Sequence, residues 1–416
     1  QAVTDGILVD ISQAWKRIRV ADDGSRVAAE PGVIASQVNS FLEPWRVKIG
    51  PDPASINTCM IGGVAANNAS GMCCGVEFNT YNTFSSMKFI LADGTAFDTA
   101  DPAADDHLRA RRPDIWQGLS DIRRAIQSNS AMADRIRKKF SIKNTCGYSM
   151  NAFVDFARPI DILSHLLIGS EGTLGFISEI TYNTLPDKPV KATALVFFQE
   201  LGDAGRAVAP LERAGAAVLE IMDRASMLAV VDEMQYPFHI GPYDPNAESV
   251  LRRPGHPDTI HGNCAALLVE FQEDNEQEAA AKLEMATAII NRFPLLQPVE
   301  FSRDAALRAS YWHMRKGLYP SVGGMRQIGT AVIIEDICVE PQYLAEAIED
   351  VQRLFVDHTF PDAIIFGHAR NGNIHFVICT DFADPEQVNR YAALMDELTR
   401  VIVEKYDGSL KAEHGT

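Results

Sequence analysis

An α+β protein of two domains is what this sequence predicts, and three observations lead there. Its 416 residues exceed the size at which one hydrophobic core usually keeps growing, so the chain should divide. The stretch Leu185-Pro186-Asp187-Lys188-Pro189 suits that division, because closely spaced prolines interrupt helix and sheet alike. Beyond it, strands alternate with longer helices in a pattern that fits a largely antiparallel or mixed sheet covered by helices. The expected domains are residues 1–186 and 187–416.

Taken in order, Ile7-Leu8-Val9-Asp10-Ile11 has the composition of a first strand, and Val27-Ala28-Ala29-Glu30 that of a second. Pro31-Gly32 turns the chain, and the spacing of Val33, Val38, Phe41 and Leu42 predicts a helix. Ile61 to Gly71 contains almost no bulky side chain, which fits a wall where main chain approaches a ligand closely or a tight turn under a helix. Met87 to Leu91 followed by Asp93-Gly94 predicts a hairpin with a tight type I′ turn. Residues 115–139 read as charged helix, and Ile162 to Leu167 as helix leading through a glycine-rich turn to a strand at 176–184. In the second half, strands are expected near 193–198, 217–220, 265–271, 328–337, 363–366 and 374–379. Helices are expected at 204–213, 224–231, 277–290, 305–318, 344–355 and 385–406. Residues 235–263, rich in Pro, Gly, Asp and His, read as one long loop.

A formal charge of −17 disfavours nucleic acid as a partner, while leaving room for a local basic pocket for a small carboxylate. No apolar run reaches membrane-spanning length. Seven cysteines without CxxC spacing favour a reducing compartment, hence a cytoplasmic setting with peripheral membrane association as the alternative. No signal or transit pattern is visible, and the start at Gln1 suggests part of a longer protein.

Chemistry concentrates in Gly367-His368-Ala369-Arg370-Asn371-Gly372-Asn373-Ile374-His375, between two short apolar flanks that read as strand, turn, strand. Histidines at strand ends can be held rigidly over a cavity, and a neutral imidazole ligates a metal through one nitrogen while a neighbour orients the other. Ordinary polar loop residues are the alternative, and Glu413-His414 is the obvious source of a third ligand. Gly169-Ser170-Glu171-Gly172-Thr173-Leu174-Gly175 matches neither the dinucleotide fingerprint nor the Walker loop. His165 and His313 read as packing residues, and Cys73-Cys74 as small side chains rather than a redox pair.

Several segments together resemble the flavin-dependent D-2-hydroxy acid dehydrogenases of the vanillyl-alcohol oxidase and PCMH superfamily, in the branch acting on D-lactate or D-2-hydroxyglutarate. Val27-Ala28-Ala29-Glu30-Pro31-Gly32-Val33 resembles the segment before the flavin loops. Pro51-Asp52-Pro53, Thr58, Gly62-Gly63 and Asn67-Asn68-Ala69-Ser70-Gly71 resemble the loop passing along the flavin. Gly169, Ser170, Glu171, Gly172, Thr173, Gly175 and Ile177 resemble the second flavin-contacting segment. In Tyr311-Trp312-His313-Met314-Arg315 the resemblance makes Arg315 the partner of the substrate carboxylate. His368 and His375 become metal ligands, Asn373 a pocket residue, Glu413 the third ligand and His414 the catalytic base.

The resemblance implies a PCMH-type FAD-binding domain lacking its N-terminal part, followed by an α+β substrate cap. It implies oxidation of a D-2-hydroxy acid to the 2-oxo acid with FAD and a divalent metal, zinc first and manganese or iron as alternatives. In the large forms, iron–sulphur clusters occupy a further C-terminal half. The electron acceptor is open, a quinone and an electron-transfer protein both being compatible. Arg370, Arg252 and Arg253 are candidates for a distal carboxylate subsite. A non-redox metal-dependent hydrolase and an inactive binding or electron-transfer scaffold remain as rival readings.

Overall fold

The computed structural model describes residues 9–230, 236, 238–252, 254 and 256–415, and its strands form separate sheets in two units. One unit is Gln1–Asp187 with Glu413–Thr416, the other Lys188–Ala412. Ile7, Leu8, Gln235, Arg253 and Thr416 lie outside the described residues, and Val9–Ile11 is not a strand. Among the described residues, no helix is long and apolar enough to cross a membrane.

The first unit is built on β1 (Ile18–Val20), β2 (Arg26–Ala29), β3 (Phe84–Ile90), β4 (Ala96–Asp98) and β5 (Phe176–Asn183), in the antiparallel order β1-β2-β5-β3-β4. Helices α1 (Ala35–Leu42), α2 (Ile61–Asn67), α3 (Pro113–Gln127), α4 (Ser130–Lys139) and α5 (Pro159–Leu167) accompany it. Val27, Val38, Leu42, Ile61, Phe89, Ile160, Leu167 and Tyr182 join one core, the inward positions of short strands meeting the apolar stripes of helices. His165 is buried in it, its ring stacked 3.8 Å from that of Phe156 and its Nδ1 2.7 Å from the Asp161 carbonyl.

Two local expectations change here. The small-residue run at 61–71 is not a turn throughout: Ile61–Asn67 is helical, stopped by Asn68 in the left-handed conformation at φ 54°. The β3–β4 hairpin forms, but only Gly94 takes positive φ (85°), with Gly94 N–H donating to Leu91 O and Leu91 N–H to Thr95 O. Asp93 therefore does not adopt the second positive φ that a type I′ turn needs, and the loop closes with a glycine bulge.

The second unit carries a six-stranded, wholly antiparallel sheet. Its strands are β6 (Val190–Phe198), β7 (Val218–Asp223), β8 (Ala265–Glu273), β9 (Ala331–Cys338), β10 (Ile364–His368) and β11 (Asn373–Thr380), in the order β9-β11-β10-β7-β8-β6. Both faces are covered, so β6, β7 and β8 read as nearly unbroken apolar runs. On one face lie α6 (Leu201–Arg213), α7 (Glu276–Ile290), α9 (Leu344–Asp357) and α10 (Pro385–Thr399). On the other, α8 (Ala305–Met325) packs Met314 and Leu318 against Met222, Phe366 and Val377. The side chains of Asn275, Asp304 and Asp384 accept backbone N–H groups at the starts of α7, α8 and α10, each worth about 1 kcal/mol of helix stability.

The long segment 235–263 is not simply loop. His239–Ile240, Val250–Leu251 and Thr259–Ile260 make a small sheet, and the buried Arg224 guanidinium donates to the carbonyls of Gly241, Ile260 and Gly262. Past α10 the helix widens to π geometry over Arg400–Lys405 before the chain returns beside β9.

Candidate active site

Strand register in the second unit creates a row of polar side chains in an otherwise apolar interior. His368, the last residue of β10, lies opposite Glu220 of β7, and His375 of β11 lies opposite Asp336 of β9. All four are buried, Glu220 and Asp336 completely. His375 is the third residue of its strand rather than an end residue, so it is fixed by ladder bonds on both sides.

Each imidazole turns its Nδ1 toward its opposite carboxylate. His368 Nδ1 is 2.7 Å from Glu220 Oε1, and His375 Nδ1 is 3.2 Å from Asp336 Oδ1. A carboxylate only accepts, so the His368–Glu220 hydrogen bond favours Nδ1–H and makes Nε2 the candidate metal-binding atom, whereas the His375–Asp336 contact lacks hydrogen-bond alignment. The two rings stand 4.9 Å apart, nearly perpendicular, and offer ligand nitrogens within 4.8 Å of one another. Asn373 is fully buried and donates from Nδ2 to Asp336 Oδ1 at 2.6 Å and to the Ile337 carbonyl at 3.0 Å. Asp336 Oδ2 accepts the N–H of Ala412 at 2.8 Å.

Arg315 enters this row from α8, where Tyr311, Met314, Arg315 and Leu318 share one face. Only 4% exposed, it sets Nη2 2.6 Å from Glu220 Oε2 and its guanidinium 4.7 Å above the Phe366 ring. That ion contact lacks hydrogen-bond alignment, and Nε has no hydrogen-bond partner. A buried guanidinium with donor capacity to spare suits an incoming carboxylate. Arg370 lies at the same turn, its Nη1 3.4 Å from the Ala217 carbonyl, whereas Arg252 is exposed beside Asp258.

In the first unit, the two expected flavin segments meet through backbone. Gly169 N–H donates to Ala65 O and Glu171 N–H to Ala66 O, while Asn67 Nδ2 reaches Glu171 Oε1 at 2.8 Å. Asn68 and Glu171 both hold left-handed backbone, at φ 54° and 51°, a strain of about 1 kcal/mol or more for each residue with a Cβ. A Cβ added at Gly63 or Gly172 would meet nothing within 4 Å, so the wall keeps open space beside its backbone. At Gly71 it would lie 2.1 Å from the Asp52 carbonyl, and the Asp52 carboxylate accepts from Cys73 and Cys74 N–H. Burial raises the Asp52 carboxyl above the usual range.

Other expected cofactor residues are placed less centrally. Pro51 is buried, Pro53 half-buried, and exposed Thr58 bonds back to Ser55. Ser170 Oγ donates to Leu167 O and Thr173 Oγ1 to Ser170 O, closing their own turn. Gly175 packs against Ile90, and Ile177 points into the core. Glu413 accepts from Ser70 Oγ and Lys143 Nζ, both at 2.7 Å, and Lys143 also donates to Gly71 O. His414 is exposed.

Residues 188–416, more than half of the chain, match the family described as FAD linked oxidases, C-terminal domain. The chain belongs to the FAD linked oxidases. Residues 1–100 of this FAD linked oxidase also match the family described as FAD binding domain. It is 23% identical to the D-2-hydroxyglutarate dehydrogenase of Haemophilus influenzae over the whole chain and 40% of that protein. It is 25% identical to glycolate oxidase subunit GlcD of Escherichia coli over 99% of the chain and 66% of that subunit. The chain thus spans less than two thirds of these curated relatives. Among solved structures, alkyldihydroxyacetonephosphate synthase overlaps 95% of the chain at TM-score 0.59 and 14% identity, covering 62% of that chain. Substrate-bound p-cresol methylhydroxylase overlaps 94% at 0.56 and 12%, covering 69% of that chain. The fold of this FAD linked oxidase is therefore PCMH-type, with a sheet-and-helix cap.

The residues fit the FAD that this family implies and the divalent metal that the sequence resemblance implies. The paired wall segments, with glycines facing open space, suit an extended cofactor. Two buried imidazoles, each with a carboxylate at Nδ1, suit a divalent metal. Sequence reasoning assigned no role to Glu220, Asp336 or Lys143. A detectable signal existed for the first two: an acidic residue inside an apolar strand must be exposed or paired.

Proposed function

We propose that this FAD linked oxidase converts a D-2-hydroxy acid to its 2-oxo acid. The observation that carries the reading is Arg315 and the two carboxylate-backed histidines in one buried row of the second unit. Relatives named for D-2-hydroxyglutarate and glycolate, both 2-hydroxy acids, support the same substrate class.

Bound FAD supplies the two-electron acceptor, and a bound divalent metal the Lewis acidity that favours a developing alkoxide. Arg315 receives the substrate C1 carboxylate through its spare donors, and Phe366 keeps water from one side of the guanidinium. His368 and His375 would hold the metal through ring nitrogens. Asn373, locked between Asp336 and Ile337 O, fixes the pocket wall at the start of β11. Glu413 is proposed as third ligand and His414 as the base that takes the hydroxyl proton at a ring nitrogen. Both follow Ala412, which Asp336 anchors by its N–H. Gly62, Gly63, Asn67, Asn68, Ser70, Gly71 and the 169–175 turn are proposed to line the cofactor.

The chain loaded with FAD and zinc, titrated anaerobically with D-2-hydroxyglutarate, should lose its oxidised-flavin absorbance band, and the L-enantiomer should leave it intact. An unchanged spectrum with D-2-hydroxyglutarate, D-lactate and glycolate, at verified flavin occupancy, would sink the reading.

A further inference from the structure

Glu220 is, like Asp336, a fully enclosed carboxylate of the polar row, and its two oxygens face two different groups. Oε1 lies 2.7 Å from His368 Nδ1, and Oε2 lies 2.6 Å from Arg315 Nη2. The carboxylate has zero exposure and sits on the central strand β7, where Leu219 and Ile221 on either side are also fully buried. Its backbone is therefore held within the sheet, and its carboxylate is turned toward its two partners out of solvent. We infer that Glu220 is a positioning residue that orients the metal-binding imidazole of His368 and the carboxylate-binding guanidinium of Arg315 at once. The inference rests on the metal and substrate roles proposed above.

The charge on Glu220 matters as well as its shape. Glutamine has the same length but one acceptor and one donor end. With its oxygen toward His368, its NH2 faces the Arg315 guanidinium, and two donors oppose each other. With the amide turned over, its NH2 donates to His368 Nδ1 and favours Nε2–H, which blocks the nitrogen needed for metal. In either orientation one of the two groups loses its guide. Aspartate keeps the charge but is one methylene shorter, so it cannot span both contacts from the same backbone position. Asp336 stands 3.2 Å from His375 Nδ1 without hydrogen-bond alignment, and it also binds Asn373 and the Ala412 N–H. Glu220 lies between an imidazole and a guanidinium through its two oxygens.

The test reads the tautomer and the metal separately. In the metal-free chain with 15N-labelled histidine, long-range 1H–15N spectra should show His368 protonated at Nδ1, its signals assigned by their loss in His368→Gln. In Glu220→Gln that signature should change to Nε2–H or a mixture. Zinc affinity measured by competition with a chromophoric chelator should fall about 10- to 100-fold, and KM for the hydroxy acid should rise while the thermal midpoint shows a folded protein. A wild-type His368 protonated at Nε2, or a folded Glu220→Gln with unchanged zinc affinity, would overturn the inference. The wild-type tautomer needs no ion, and His368→Gln serves it only for assignment. If His368→Gln leaves zinc affinity untouched, the metal reading fails, and the tautomer arm still decides whether Glu220 orients this ring.

Discussion

The two units hold their candidate functional groups by opposite means. In the second unit Arg315 enters from a helix, but Glu220, Asp336, His368 and His375 lie on four neighbouring strands, so ladder bonds fix their separations. In the first unit the wall is backbone, made where Ala65 and Ala66 accept from Gly169 and Glu171 and where Asn68 and Glu171 bend left-handed. Metal ligation needs a few atoms within tenths of an ångström of their places, which strands provide. An extended cofactor needs close main chain over many atoms, which glycines and turns provide. Damage should therefore be concentrated in the second unit and distributed in the first.

The sharpest test pairs His375→Ala with Asn67→Ala. Removing the imidazole should lower kcat/KM for the hydroxy acid on the order of a thousandfold. Removing the Asn67 amide costs one hydrogen bond to Glu171, about 1 kcal/mol, and should weaken FAD binding only severalfold in a fluorescence titration. Equal losses would break the comparison.

Glycines give a smaller contrast. Gly372 has φ 67°, and a Cβ there would fall 1.9 Å from the Val339 carbonyl, so Gly372→Ala should destabilise by about 3–5 kcal/mol in denaturant unfolding. Gly172 has φ 77° but open space around it, and Gly172→Ala should cost only the torsional strain, about 1–2 kcal/mol.

Acid should act on the units in opposite directions. Burial holds the His165 imidazole of the first unit down to about 4, so the unfolded chain takes up its proton first. Stability from this group is complete above its ordinary value of 6.5 and falls as pH drops from 6.5 toward 4, by on the order of 3 kcal/mol. Burial pushes the Asp223 carboxyl of the second unit up to about 6, although the Ser226 N–H opposes the shift. Here the native state keeps the proton that the unfolded chain releases, so stability is complete below the ordinary 3.8 and falls as pH rises toward 6. Calorimetry across pH 4–6.5 should show His165→Phe flattening one slope and Asp223→Asn the other.

The same contrast explains what could be read beforehand. The histidine turn was legible because two apolar flanks bracket it, and the hairpin at Asp93-Gly94 because only its loop type depends on one torsion. The carboxylates behind the histidines were not. Glu220 lies 148 residues from His368, and which strand faces it depends on a register that no local pattern encodes. Lys143 precedes an irregular turn, so nothing local separates it from a surface lysine until Gly71 O and Glu413 are found around its ammonium. The strands at 239–240, 250–251 and 259–260 are two residues each, too short to show a period. The wall segments were recognisable as small-residue runs, but Asn68 and Glu171 as left-handed non-glycines were not, because their strain is held by partners far along the chain.

The Ala412 N–H held by Asp336 has one further consequence. Lys411–Ala412 is a peptide bond of the type trypsin cuts, yet Ala412 is buried and Lys411 lies bridged beside β9. A protease needs an extended, accessible segment, so this bond should survive while Asp336, the Lys411–Glu335 ion pair and the bridges to β9 keep the chain in place. Digestion at Lys411 would thus serve as a clock for the opening of the polar row, needing neither substrate nor colour.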